Sequence, residues 1–218
     1  MEKTQGTVES GLEKSPKRGR GRPKCFDPEA ALEKAMMLFW DRGYEGTSMD
    51  DLSAAMGISP SSIYATYGDK QRLFQAALDR YREGPGAYTA AILDKAPSAY
   101  AAIEEVLMTA ADELTRAGRP AGCMLANAVT HCAPQTEHLQ QLIAERRFMS
   151  LGLIKQRFDR GILEGELPAG TDTCALARFF GTVLQGMTIQ ARDKVAAAEL
   201  KGVASAALRA WPQEAPRQ

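Results

Sequence analysis

The side chains best suited to specific chemistry in this chain lie in a short uncharged segment, Ser-Pro-Ser-Ser-Ile-Tyr-Ala-Thr-Tyr at 59–67. Hydroxyl groups both donate and accept hydrogen bonds, so this segment can read the polar edges of another molecule. By contrast, the 218 residues hold only two histidines, no nucleophile motif, no phosphate-binding loop and no recognisable arrangement of carboxylates. The sequence therefore favours recognition over catalysis, and we expect no enzymatic activity.

The four cysteines are irregularly spaced and form no Cys-x-x-Cys pair, which argues against a disulfide framework and a structural zinc site. Cys123 stands at the expected start of a helix, where free N–H groups favour a reactive thiolate and hence a sensor of electrophiles. Cys123 can equally be a small buried hydrophobe, the interpretation that we favour for Cys132 and Cys174. A metal site that adds His131 and His138 is an alternative, but no spacing defines a tetrahedral set, and we expect no metal or other cofactor.

Positive charge is concentrated at the N-terminus, although the whole chain balances 27 basic against 27 acidic residues. Residues 1–26 contain seven basic and three acidic residues, with six cations and no acid between Lys14 and Lys24. Because this segment has almost nothing apolar to bury, we expect a disordered basic arm. No apolar stretch reaches the roughly 20 residues of a membrane span, and no secretory pattern is present, so we expect a cytoplasmic protein with no membrane partner.

Apolar residues at helical spacing, bounded by capping residues, predict four helices after the arm. Asp27, Ser48, Ser59 and Asp69 are suitable N-caps. With glycines after the first three helices and Gly84-Pro85-Gly86 after the fourth, the expected helices cover about 28–42, 49–56, 60–67 and 70–83. The two short helices are separated by Gly-Ile-Ser at 57–59, which is typical of a helix-turn-helix.

The remainder of the chain also reads as helix, with no convincing strand and no internal repeat. We expect further helices at about 98–117, 122–132, 135–163, 172–193 and 196–210. The predicted fold class is all-α, with a three-helix helix-turn-helix head at 27–70, a helical body at 71–211 and a tail at 212–218.

The stretch from Phe39 to Phe74 closely resembles the DNA-binding domain of the TetR family of transcriptional regulators. Three elements match in register: Gly-Tyr-x-x-Thr-Ser from Gly43, Ala-x-x-x-Gly-Ile-Ser from position 53 and Ile-Tyr-x-x-Tyr-x-x-Lys from Ile63. The resemblance covers about residues 28–78 and implies a DNA-binding head, a helix that connects it to the body, a ligand cavity in the body and dimerisation through the last two long helices. Departures are small, such as Ser53 in place of alanine and Thr66 in place of histidine.

The second helix of a helix-turn-helix enters the major groove and presents its first turns to the base edges. Ser61, Ser62 and Tyr64 are therefore the expected base-reading residues, with Ile63 turned inward. The expected phosphate contacts come from the helix start at Ser48 and from Tyr67 and Lys70, and Thr66 is counted with this DNA-binding set.

The head itself is acidic, since residues 27–68 hold seven acidic and two basic residues. The basic arm can compensate for this charge on a polyanion. Its Arg20-Gly21-Arg22-Pro23 resembles the AT-hook core, so we expect Arg20 and Arg22 to enter an A·T-rich minor groove. The alternative is an idle solubilising tail.

The cavity implied by the resemblance lies among the helices at about 98–163. Its expected lining residues are Met108, Cys123, Met124, Asn127, His131 and Phe148, with Leu125 and Leu151 as further candidates, although each of them can equally belong to the core or surface. The expected dimer stripe is Phe180, Val183, Leu184 and Met187 on the helix at 172–193, unless that stripe only closes the subunit's own core.

Together these features predict a ligand-responsive transcriptional regulator. We expect a repressor that binds a pseudo-palindromic double-stranded operator as a homodimer and is released by a small-molecule inducer. An architectural DNA-binding protein without ligand control is the alternative.

Overall fold

The computed structural model describes residues 26–128 and 137–212, which form ten α-helices and no strand. None of these helices has both the length and the apolar character needed to cross a bilayer. The predicted all-α fold with an N-terminal helix-turn-helix is confirmed. The helices are α1 Pro28–Arg42, α2 Met49–Met56, α3 Pro60–Tyr67, α4 Lys70–Glu83, α5 Tyr88–Lys95, α6 Ala99–Leu114, α7 Met124–Asn127, α8 Glu137–Leu163, α9 Thr173–Arg192 and α10 Ala197–Leu208.

The first four helices begin where the capping residues predict. Asp27, Ser48, Ser59 and Asp69 each accept a hydrogen bond from a backbone N–H in the first turn of their helix. Gly57 ends α2 with φ +71°, a left-handed conformation that glycine adopts without strain. Local chemistry alone therefore sets the boundaries of the head.

One apolar core holds the head together and extends into the body. Phe39 and Trp40 of α1 pack against Phe74 and Tyr81 of α4, with ring centroids of Phe39 and Phe74 5.0 Å apart. The same core includes side chains of α7 and the first turns of α8. Helix α4 thus shares the core of the head, although the division predicted at residue 70 assigns it to the body.

A second core lies among α5, α6, the later part of α8, α9 and α10. Phe158 and Phe180 are fully buried in it with one face of α6, and the half-buried Trp211 packs on both rings. This core closes the body of the subunit.

Two differences from the sequence prediction concern α5 and α7. Helix α5 was not predicted, because Ala87 gives it no side-chain cap and it follows directly after Gly84-Pro85-Gly86. The helix expected at 122–132 is a single turn at Met124–Asn127, beyond which residues 129–136 lie outside the described part of the chain.

A buried arginine of α8 pairs with a glutamate in the segment that follows this helix, and the glutamate also contacts the start of α6. Arg157 is 3% exposed, and its Nη2 lies 3.2 Å from both carboxylate oxygens of Glu166. Glu166 Oε2 also accepts a hydrogen bond from the Ala99 N–H at 2.5 Å. Although burial opposes ionisation, these hydrogen bonds hold the pKa of Glu166 below its usual value.

We therefore expect Glu166→Ala to lower the free energy of unfolding by about 3 kcal/mol, since it leaves the guanidinium buried without its main partner. Glu164→Ala is the matched control, because Glu164 is half exposed and lies 3.5 Å from Arg157, and we expect it to cost less than about 1 kcal/mol. Urea denaturation of both variants measures the difference. Equal losses of stability in the two variants would contradict a dominant contribution of the Arg157–Glu166 pair.

Candidate DNA interface and body cavity

Side-chain hydrogen bonds at both ends of α2 stabilise the helix-turn-helix. At its start, Ser48 Oγ accepts from the Asp51 N–H at 3.0 Å, and Asp51 Oδ2 accepts from the Ser48 N–H at 2.9 Å. The Ser48 hydrogen bonds lower the pKa of Asp51, so the capping box persists at neutral pH. At the other end, the Ser53 hydroxyl donates to the Ile58 carbonyl at 2.6 Å, which gives the departure from the family's alanine a role in the turn.

Helix α3 exposes two of the three predicted base-reading side chains, and the third, Ser62, is half-buried. Ile63 is fully buried as the anchor, whereas Tyr64 is 50% exposed and Ser61 is exposed. Ser59 Oγ lies 2.9 Å from both Ser61 Oγ and Ser62 Oγ. The first turn of α3 is thus a cluster of hydroxyl groups with no charge.

Three other members of the predicted DNA-binding set are less exposed. Thr66, Tyr67 and Lys70 are half-buried. The Tyr67 hydroxyl donates to the Pro28 carbonyl at 3.0 Å, so it ties α3 to α1 and its one proton is already used. The Lys70 ammonium lies 4.2 Å from the centroid of the Tyr44 ring, which holds the cation beside α3. The geometry therefore favours Lys70 over Tyr67 as a phosphate ligand. Arg20 and Arg22 lie outside the described residues.

The structure also accounts for the acidic composition of the head. Arg80 of α4 pairs with Glu33 at 3.0 Å and Glu29 at 3.5 Å. Arg42 pairs with Asp51 at 3.3 Å and with Asp41 at 3.9 Å. Four of the seven acidic residues counted between 27 and 68 are therefore near a guanidinium, which reduces their repulsion of a polyanion.

A cavity of about 300 Å³ lies at the junction of the end of α4, the start of α5, α7, α8 and α9. Tyr81 and Cys123, which also contact the head core, line it together with Tyr88 of α5. Burial raises the pKa of both phenols, and the nearby Cys123 raises them further, so both hydroxyls stay protonated and can donate hydrogen bonds. Leu125 and Leu151 also line this space, as the sequence suggested.

Most of the predicted ligand-binding residues lie elsewhere, and their assignment to the cavity lining is wrong. Met124 is fully buried in the head core, Met108 packs on the body core, and Phe148 is 59% exposed. Asn127 has a buried Nδ2 without a hydrogen-bond partner among the described residues, and it does not line the cavity. Because α7 is only one turn long, its side chains do not follow the continuous helix face on which the prediction relied. His131 lies outside the described residues.

The thiol predictions have mixed outcomes. Cys123 is half-buried and lines the cavity, but a four-residue helix provides little of the dipole expected to favour its thiolate. Cys174 is exposed, so its assignment as a buried hydrophobe is wrong. Among residues 26–128 and 137–212, no group of three His, Cys, Asp or Glu side chains could hold a metal ion. Cys132 lies in the segment that is not described.

The predicted dimer stripe divides between two faces of α9. Phe180 and Met187 are buried in their own subunit, so their assignment to the interface is wrong. Val183 and Leu184 are half-buried, and Leu184 lines the cavity. The outward face of α9 instead carries Phe179 and Ile189, which are 41% and 53% exposed. Small exposed residues lie beside them at Ala175, Thr182 and Gly186.

The side chains around the cavity also contact the head, which sequence reasoning missed. The Trp40 indole N–H donates to the Gly122 carbonyl at 3.0 Å in a buried position. The Trp40 ring packs edge to face on Tyr81, with centroids 4.8 Å apart. Since Tyr81 and Cys123 line the cavity, its wall is joined directly to α1. The contact joins residues 82 positions apart, so no local pattern could have revealed it.

Comparisons with known proteins agree with this architecture. Residues 31–77 match the family model for bacterial regulatory proteins of the tetR family. The chain is 36% identical over 198 residues to the HTH-type transcriptional repressor ComR of Escherichia coli K12, which covers 90% of this chain and 94% of ComR. It is 33% identical over 178 residues to the HTH-type transcriptional regulator YezE of Bacillus subtilis 168, covering 79% of this chain and 89% of YezE.

Among solved structures, the fold is similar to a cysteine mutant of the TetR family transcriptional regulator CifR complexed with 26-base-pair double-strand operator DNA. The TM-score is 0.86 at 41% sequence identity, and the match covers 88% of this chain and 100% of the CifR chain.

Proposed function

Because this chain belongs to the TetR family and is a DNA-binding transcriptional regulator rather than an enzyme, we propose that it is a ligand-controlled repressor. It binds a pseudo-palindromic operator as a cytoplasmic homodimer and leaves the operator when a small molecule occupies the body cavity. The similarity to the repressor ComR and to operator-bound CifR supports repression through an operator.

The observation that carries the ligand control is the position of α4. Phe74 of this helix is fully buried in the head core, whereas Tyr81 and Arg82 line the cavity about two turns later. A ligand that repositions Tyr81 therefore acts on a helix packed against α1. Release follows if the ligand binds more tightly to the arrangement of heads that does not fit the operator.

DNA recognition is assigned by exposure and hydrogen bonding. Ser61, Ser62 and Tyr64 read base edges in the major groove, where their uncharged side chains match donors, acceptors and the thymine methyl group. Lys70 and the exposed helix start at Ser48 contact phosphates and position α3. Tyr67 supports this surface through Pro28, and Thr66 lies beside it.

Two substitutions separate these roles. We expect Tyr64→Ala to change the preference for particular base pairs, with a loss of about tenfold at the preferred sequence. Lys70→Ala should weaken binding to all sequences alike and reduce the slope of log affinity against log salt by about one unit per head. Fluorescence anisotropy with an operator and its base-pair variants, at several salt concentrations, measures both quantities. A Lys70→Ala protein with altered base preference and an unchanged salt slope would contradict the assignment.

Footprinting on genomic DNA tests the regulator itself. A repressor that reads a pseudo-palindrome protects a small number of symmetric sites, and the cognate inducer abolishes the protection. Broad protection of A·T-rich DNA would instead indicate an architectural protein that acts mainly through the basic arm.

A further inference from the structure

The charged side chains around the body cavity are of one sign. Arg82, Arg146 and Arg147 line the cavity, and none of its lining residues within 26–128 and 137–212 is an aspartate or glutamate. Asp79 pairs with Arg146 at 2.5 Å and lies 3.9 Å from Arg82. Within the described part of the chain Arg147 has no ion-pair partner, so Asp79 offsets only the charges of Arg146 and Arg82.

Two tyrosine hydroxyls in the cavity lining can donate hydrogen bonds. The Tyr81 and Tyr88 hydroxyls remain protonated because the phenols are buried. Much of the remaining wall is aliphatic. Its leucine and isoleucine side chains are Leu114, Leu125, Leu151, Leu153, Ile154 and Leu184.

From this arrangement we propose that the effector of the body cavity is a small amphipathic anion, with a carboxylate or similar acidic group held by Arg147 and an apolar body against the aliphatic wall. This proposal rests on the proposed function, in which the cavity is the effector site. A guanidinium presents paired N–H donors that match the two oxygens of a carboxylate, and Arg147 has both available. The volume of about 300 Å³ is at the small end for ligand sites, which favours a compact molecule.

The local charge also discriminates against other ligands. A cation placed in the cavity would meet the positive charges of three lining arginines, whereas a neutral ligand would leave Arg147 without a partner. Hydrogen bonds to charged groups contribute enough for a difference of about ten- to a hundredfold in affinity between an anionic ligand and its uncharged analogue.

Three eight-carbon probes that differ only in their head group test this inference. Octanoate, 1-octanol and octylammonium are titrated into the full-length protein by calorimetry, and into the protein–operator complex by fluorescence anisotropy. We expect octanoate to bind at least tenfold more tightly than the other two and to release the operator. Octanol or octylammonium binding as tightly as octanoate, or no binding by any probe, would overturn the inference.

A matched pair of variants assigns the effect to Arg147. Arg147→Gln removes the charge and keeps most of the side-chain volume, so we expect the preference for octanoate over octanol to fall by about tenfold or more. Arg209→Gln makes the same change at an exposed position after α10, away from the cavity, and should keep the preference. An unchanged preference in Arg147→Gln would overturn the assignment.

The outcomes distinguish this inference from the function on which it depends. If octanol releases the operator as well as octanoate does, the cavity is an effector site that does not select charge, and only the anion proposal fails. If the unliganded protein protects no symmetric operator, the proposed function fails whichever probe binds.

Discussion

Replacing Phe179 with aspartate should convert the protein from a dimer to a monomer and weaken operator binding by at least a hundredfold. Phe179 and Ile189 form an exposed apolar stripe on α9, flanked by small residues that allow a second helix to approach closely. Val203 of α10 is 37% exposed and has exposed Gly202 and Ala206 beside it, so both helices offer a surface to a partner copy.

The expected effect is large because of symmetry. In a two-fold interface each substitution occurs twice, and a carboxylate replaces an aromatic anchor on both sides. At other protein interfaces, loss of such an anchor costs about 2 kcal/mol or more. Because the dimer loses two anchors, its dissociation constant should rise by about a thousandfold. Operator affinity falls with it, since a single head contacts only one half-site.

Leu163→Asp is the matched control for this substitution. Leu163 is the last residue of α8 and is 87% exposed, so the same change of an apolar residue to a carboxylate should leave the dimer intact there. Phe180→Asp is unsuitable, since Phe180 is fully buried and its replacement would unfold the body. Light scattering at micromolar concentration decides the question, and a Phe179→Asp protein that remains dimeric would exclude this face as the interface.

Removing residues 1–24 should weaken operator binding and flatten its dependence on salt. The segment holds six cations between Lys14 and Lys24. Each phosphate that a cation neutralises contributes about −0.9 to the slope of log affinity against log salt, so the slope should fall in magnitude by up to about 5 units per arm. At physiological salt this is a loss of several hundredfold or more.

A second variant separates total charge from groove recognition. Changing Arg20 and Arg22 to glutamine, with the remaining arm intact, should abolish any preference for A·T pairs beside the operator and remove about two units of salt slope. Affinity measured over a range of salt concentrations on operators with A·T or G·C flanks tests both variants. If the truncated protein matches the full chain in affinity and slope, the arm is an idle tail.

The ion pairs of the head reduce the negative charge that the basic arm has to offset on DNA. By composition, residues 27–68 of the head have a net charge of −5. Arg80 of α4 lies outside that range and pairs with two of these acidic residues, Glu29 and Glu33. The effective repulsion of phosphate is therefore smaller than the composition indicates. An arm that neutralises several phosphates then adds net affinity instead of merely compensating for the head.

The head could be predicted from sequence because its boundaries depend on neighbours in the chain. The four N-caps, the Gly57 turn and the inward position of Ile63 all follow from residues within one or two helical turns. The same reasoning found the hydroxyl cluster of α3. It assigned Tyr67 a free hydroxyl because the contact with Pro28, 39 positions away, is tertiary.

The body was less predictable because its helices are apolar on more than one side. Phe179 and Phe180 are adjacent, yet one is exposed and the other fully buried. Helical periodicity identifies an apolar stripe but does not say which of two stripes faces the core. The cavity depends likewise on where α4, α8 and α9 meet, so Tyr81, Tyr88 and Arg147 carried no local signal of a shared site.

The hydrogen bond between Trp40 and Gly122 places an intrinsic fluorophore where the head meets the cavity wall. The chain has only two tryptophans, and the other, Trp211, lies in the body core against Phe158. Replacing Trp211 with phenylalanine would leave one indole, located where the head meets the cavity wall. Its emission depends on its hydrogen bond and on access of water to the ring, so movement of the head on the body would appear directly in the fluorescence spectrum. Effector titrations could then be followed without a label and without DNA, which separates the conformational response from operator release.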